Sequence, residues 1–85
     1  MQILDVLTNK NFKVLSCLYD NRGKDNIARI TQNEIADEIG YSRPTVSEIF
    51  VVLKREGLVK DTNFVGRYEI TDVGIKIVKL FRKIE

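Results

Sequence analysis

The residues with chemistry to offer gather in one stretch, Tyr41-Ser42-Arg43-Pro44-Thr45-Val46-Ser47-Glu48. Hydroxyls at 42, 45 and 47, with a guanidinium at 43, are groups that meet phosphate oxygens and the edges of bases. Pro44, two residues after Ser42, suits the first turn of a helix, where its missing N–H does no harm. On a helix capped by Ser42, the side chains of Arg43, Thr45 and Ser47 fall on the first exposed turns. Arg43 can pair with O6 and N7 of guanine, and Thr45 and Ser47 can touch phosphates or bases. Tyr41 and Ser42 can hold a phosphate at the helix N-terminus, although Tyr41 can equally pack on the edge of the core. Glu48 can accept from cytosine N4, but a local pair with Lys or Arg is the simpler expectation. Lys54, Arg55 and Lys60 are candidate phosphate contacts, and Arg67, next to Gly66, is a candidate for the minor groove.

Other chemistries are poorly served. The chain has one cysteine, Cys17, and no histidine. Zinc sites of Cys and His, and nucleophilic catalysis by Ser-His-Asp or Cys-His, lack their parts. No glycine-rich phosphate loop and no evident carboxylate cluster is present, so an enzyme, a metal site and a cofactor are not expected. Cys17 sits at helical spacing from Val14 and Leu18 and reads as a buried structural thiol, with a redox sensor as the sharper alternative. The N-terminal Met-Gln-Ile-Leu-Asp-Val-Leu lacks the basic segment of a secretory signal, and no apolar run is long enough to span a bilayer. A small cytoplasmic domain without membrane attachment is the expectation.

These side chains need elements to hold them. Eighty-five residues suffice for one domain, 1–85, with 14 Lys and Arg against 12 Asp and Glu for a net charge of +2. So small a chain buries only about 60–65% of its unfolded surface, which makes dimerisation a natural way to add core. Residues 2–7 are short and apolar. Asn9 is the expected cap of a helix to about Tyr19 bearing Phe12, Leu15 and Tyr19. Residues 21–28 read as a polar loop, with Arg29 and Ile30 as a short strand. Thr31-Gln-Asn-Glu34 has the form of a capping box opening a helix over 32–39, which Gly40 ends. The next helix runs over 43–56 with Val46, Ile49, Phe50 and Leu53 inward. The period then alternates in 58–62 and 67–71, two strands joined by a tip at 63–66. Thr71 or Asp72 caps a last helix over 72–85, with Val73, Ile77, Leu80, Phe81 and Ile84 on one face. That stripe is wide for the end of a small domain and is the expected dimer surface. Lys76, Lys79, Arg82 and Lys83 lie mainly off it and read as solvated.

The predicted fold is mainly α with a small β-hairpin wing, in the order helix-helix-helix-hairpin-helix. Residues 31–55 form a helix-turn-helix: Ala36 permits close helix approach, Gly40 turns the chain, and Val46 and Ile49 lock the second helix. The segments Thr31-Gln-Asn-Glu-Ile-Ala-Asp-Glu-Ile-Gly-Tyr-Ser, Leu53 to Glu56-Gly-Leu-Val, and Tyr68-Glu-Ile-Thr-Asp-Val-Gly74 resemble the winged helix-turn-helix regulators of the MarR and ArsR kind. The resemblance covers about residues 8–78. It implies a recognition helix in the major groove of double-stranded DNA, a wing at 58–71 on adjacent backbone or minor groove, and a homodimer acting as a transcriptional regulator or repressor. Two alternatives share the fold. One is a centromere-binding partition adaptor of a plasmid or phage, with a motor or polymerase as protein partner. In that adaptor Phe64 at the wing tip or the last helix would be the partner surface; the other alternative is a winged-helix protein-interaction module, which the modest net charge and Glu48 favour.

Overall fold

A computed structural model describes residues 8–84, so the apolar stretch 2–7 lies outside the described residues. The first helix, α1 (Asn9–Asp20), opens one residue earlier than the sequence suggests: Thr8 is extended and its hydroxyl accepts from the Asn11 N–H, leaving Asn9 already helical. Val14, Leu15 and Leu18 line its fully buried face. A strand β1 (Ile27–Arg29) follows, then α2 (Gln32–Ile39), α3 (Arg43–Arg55), β2 (Val59–Asp61), β3 (Arg67–Ile70) and α4 (Asp72–Ile84).

The mainly α fold with a β-hairpin wing is as expected, with one addition. The loop foreseen at 21–28 contains most of β1, and the wing hairpin belongs to a three-stranded antiparallel sheet ordered β1-β3-β2. Ala28 lies opposite Tyr68 and is fully buried, while Val59 lies opposite Ile70. The strand β1 exists because β3 offers it a partner. Three residues following a turn at Asn26 (φ 63°) carry too little alternation to declare themselves alone.

The helix-turn-helix is built as its sequence indicates. Thr31 Oγ1 accepts from the Glu34 N–H (3.1 Å) and Glu34 Oε1 accepts from the Thr31 N–H (3.0 Å), completing the capping box. The Thr31 N–H first, and then the Thr31 hydroxyl, hold the Glu34 carboxyl below its ordinary pKa. Gly40 takes the left-handed conformation (φ 76°) that reverses the chain after α2. The next helix, α3, ends at Arg55 with Glu56 as its C-cap, one residue short of the expected 56.

The last helix departs from its expected role most. Its apolar residues do not share one outward face. Ile77 and Val78 are buried in the chain's own core, and the half-buried Phe81 ring meets Phe12 of α1 at 5.7 Å between centroids. Ile77 and Phe81, both expected at a dimer surface, therefore fix α4 to its own domain. Val73 (52% exposed) and Leu80 (57%) remain open, and the Ile84 side chain lies outside the described residues. The stripe looked wide because it serves two directions. Arg82 is also engaged: it bonds Ser16 Oγ (2.5 Å) and Asp20 Oδ1 (2.8 Å) on α1.

The join between wing and α4 is tight. Thr71 accepts from the Gly74 N–H (3.1 Å) to cap α4, and its hydroxyl donates to the Gly57 carbonyl (2.7 Å) at the end of α3. Gly74 lies so close to the Leu58 carbonyl that a β-carbon there would overlap it, and backbone cannot yield cheaply. Replacing Gly74 with Ala should therefore destabilise the domain by about 1–3 kcal/mol, against a gain of roughly 1 kcal/mol for the same change in an unobstructed helix. Urea unfolding followed by circular dichroism measures it; a neutral or stabilising Gly74→Ala would show that α4 can move off Leu58.

Candidate nucleic-acid interface

One face of α3 is committed to the core and the other is open. Val46, Ile49, Phe50 and Leu53 are buried inward. Arg43, Pro44, Ser47, Glu48, Val51 and Arg55 form the exposed face, at the three- and four-residue spacing of one helical side. The helix start is set by Ser42, whose Oγ accepts from the Thr45 N–H (3.3 Å) and donates to Thr45 Oγ1 (2.8 Å). Both hydroxyls are thus engaged with each other, and Thr45 is half-buried. Ser47 donates to Gln32 Oε1 (2.9 Å), a link from the outer face of α3 to the first residue of α2. Arg43 is exposed and makes no hydrogen bond or ion pair among the described residues, which leaves its guanidinium ready for a ligand.

The other expected contacts divide. Tyr41 is half-buried against the core, with the Lys13 ammonium 5.8 Å from its ring centre, so the packing alternative describes it better than the phosphate one. Lys54 is held by Asp61 of β2 at 2.9 Å, while Arg55, Lys60 and Arg67 are exposed. Glu48 is exposed, and no pair with Lys or Arg is formed among the described residues.

Sequence reasoning passed over three residues here. Val51 is 62% exposed on the open face of α3; it lies four residues after Ser47, outside the Val46–Ile49–Phe50–Leu53 row, a spacing that marks it as outward. Thr62 organises the wing tip, donating to the Arg67 carbonyl (2.7 Å) and accepting from the Phe64 N–H (3.1 Å). Arg29 stands directly across from Arg67 in the β1–β3 register. Like charges so placed repel. Asp25 answers Arg29 at 2.7 Å, and the Arg29 guanidinium holds the Asp25 carboxyl down to about 2. Arg67 turns instead to the Phe64 ring, 5.0 Å away.

Two helices joined through a left-handed glycine, an open second helix, and a strand hairpin locked behind it define a winged helix-turn-helix. Residues 12–74 match the family model of the Crp-like helix-turn-helix domain, and the chain belongs to that family. Among solved structures it is similar to Staphylococcus aureus MepR in a complex with DNA, at 30% identity and a TM-score of 0.75, covering 96% of this chain and 68% of that one. A mutant MepR gives 30% identity and a TM-score of 0.77, covering 100% of this chain and 61% of that one. The Mycobacterium tuberculosis transcriptional regulator MosR, in complex with DNA, gives 30% and 0.73 over 92% of this chain and 61% of that one. An uncharacterised Pyrococcus abyssi protein is 36% identical over 59 residues, which is 69% of this chain but 16% of that protein. The chain thus spans about three fifths to two thirds of these regulators and a sixth of the archaeal relative.

Cys17 lies behind this face, between α1 and α2. Burial first, and then the Glu38 carboxylate 3.5 Å from its Sγ, push the thiol up from 9.0 to about 12. A redox sensor needs thiolate, and this setting suppresses it. The folded chain keeps a proton that the unfolded chain releases above pH 9, so this contribution to stability is complete below pH 9 and is lost as pH rises toward 12. Three pH units correspond to about a thousandfold less thiolate. Iodoacetamide at pH 8.5 should accordingly modify Cys17 in folded protein at least a hundredfold more slowly than in urea, as read by mass spectrometry. Equal rates would return the redox alternative.

Proposed function

We propose that the chain binds double-stranded DNA sequence-specifically as a homodimeric regulator of transcription, with α3 in the major groove and the β2–β3 wing on adjacent backbone or minor groove. The carrying observation is the open face of α3, where an unpaired Arg43 stands at the N-terminal end of a helix whose other side is locked into the core. Arg43 is the base reader, able to meet guanine O6 and N7 together. Ser47 positions beside it, steadied by Gln32, and Val51 offers a methyl surface for thymine. Lys60 and Arg67 supply positive charge along the wing for phosphate. The reading is supported by the MepR and MosR complexes with DNA, two proteins with which this chain shares fold and about 30% of its sequence.

Dimerisation through α4 draws on Val73 and Leu80, seven residues apart and both open on the outward side of a helix. Seven residues is close to two helical turns, so the two side chains form one stripe, flanked by Lys76 and Lys83. Two recognition helices paired this way would address half-sites about 34 Å apart.

A duplex selected from a random-sequence pool by the full chain provides the test. Fluorescence anisotropy should show affinity falling steeply with salt, and Arg43→Ala should weaken binding by about 10–100-fold while relaxing the preference at one base pair. Unchanged affinity in Arg43→Ala would remove α3 from the major groove. For the dimer, a Val73→Glu, Leu80→Glu double variant should sediment at half the wild-type mass and keep its helical content. A double variant that stays dimeric would place the interface elsewhere.

A further inference from the structure

The wing carries a feature that groove binding by α3 does not require. Its tip exposes two adjacent large apolar side chains, Phe64 at 63% and Val65 at 99%. The tip needs neither of them to turn: Gly66 supplies the left-handed position (φ 75°), and Thr62 supplies the bonds that close the loop. The Arg67 N–H adds a bond to the Phe64 carbonyl at 3.3 Å. An exposed apolar pair on a loop closed by its own hydrogen bonds gains nothing for folding and costs solubility.

The geometry points to an apolar wedge: Phe64 and Val65 enter the minor groove beside the site read by α3 and open a base step there, with Arg67 neutralising the groove. This rests on the DNA-binding reading above and adds to it a contact, a groove and a deformation. Three observations select that occupant. The first is charge: the Arg67 guanidinium lies 5.0 Å from the Phe64 ring centre, so the apolar pair is presented together with a cation. A minor groove offers apolar sugar walls and a strongly negative floor in the same cleft. The second is the source of that placement. Asp25 is already taken up by Arg29 at 2.7 Å, opposite Arg67 in the strand register, so that carboxylate does not draw Arg67 away from the tip. The third is coupling. The Phe50 ring of α3 meets Tyr68 of β3 at 4.7 Å, and Lys54 of α3 meets Asp61 of β2 at 2.9 Å, so both wing strands are tied to the recognition helix. A tip fixed in this way travels with α3 and delivers its wedge at a set distance from the major-groove contact.

The experiment uses the full chain and the duplex selected from a random pool, labelled at its ends for energy transfer and carrying 2-aminopurine at successive flanking positions. Wild type should raise 2-aminopurine fluorescence at one flanking step and shorten the end-to-end distance. The Phe64→Ser, Val65→Ser double variant should lose both signals and bind about tenfold more weakly, with the central footprint kept. Phe64→Leu should retain the signals. Because both side chains are exposed, the double variant should melt as wild type does. Unchanged affinity and signals in the double variant, or no 2-aminopurine response at any flanking step in wild type, would overturn the wedge and leave α3 as the reader. A double variant that binds DNA as wild type does but loses association with a second copy or another protein would overturn it equally. A chain that selects no duplex would overturn the DNA reading, and the wedge with it.

Discussion

The structure depends on the burial of one side of α3. Val46, Ile49, Phe50 and Leu53 form a row that α1, α2 and the sheet all close upon. Four such side chains removed from water are each worth about 1.5–3 kcal/mol, comparable in sum to the whole net stability of a small domain. Once that row is fixed inward, the opposite side of α3 has to face out, because helical periodicity allows no other arrangement. The open face with Arg43, Ser47 and Val51 is thus a consequence of packing, and apart from the start of the helix and the Ser47–Gln32 link its residues make no contribution to the core.

That start is set by side chains rather than by burial. Ser42 and Thr45 tie off the first turn of α3 and the Thr31–Glu34 box ties off α2, while Gly40 turns the chain between them. Caps of this kind are worth about 0.5–2 kcal/mol each. Their larger effect is positional, since they determine which residue of α3 comes first. The same economy appears at Thr71, where one hydroxyl both caps α4 and reaches the Gly57 carbonyl at the end of α3. A single small side chain there connects α3, the wing and α4, and Gly74 lets them approach.

What could be read from the sequence follows from how local each feature is. The capping box, Gly40, the inward row of α3 and the hairpin are encoded within a few residues of themselves, and all are present. The strand β1 was expected two residues late, at 29–30, because its bounds depend on β3, far along the chain, and Ile27-Ala-Arg29 alone resembles any polar-apolar mixture. The outward role given to Ile77 and Phe81 failed for a related reason. Periodicity tells which residues avoid water; it does not tell whether Phe12 of the same chain or a second copy provides the cover. In the interface, Arg43 was legible from its place after a cap. The engagement of Lys54 by Asp61 and the juxtaposition of Arg67 with Arg29 were not, since both are relations between separate elements.

The contacts between α3 and the wing strands bear on how the two could act together. The Lys54–Asp61 pair is partly exposed on both sides, and such pairs contribute only about 0–1 kcal/mol. It can therefore hold the wing in register in the free protein and still release Lys54 to a phosphate at little cost. The Phe50–Tyr68 contact beneath it is built from one buried and one half-buried ring and does not depend on salt or on a ligand. Register between helix and wing is then carried by the rings, while the ion pair above them is free to exchange partners. A surface arranged this way would lose little conformational freedom on binding, because α3 and the wing are already set relative to each other. On the proposed reading it would also confine adaptation to the other side, so that any mismatch between the fixed spacing of α3 and wing and the grooves would have to be taken up by the duplex.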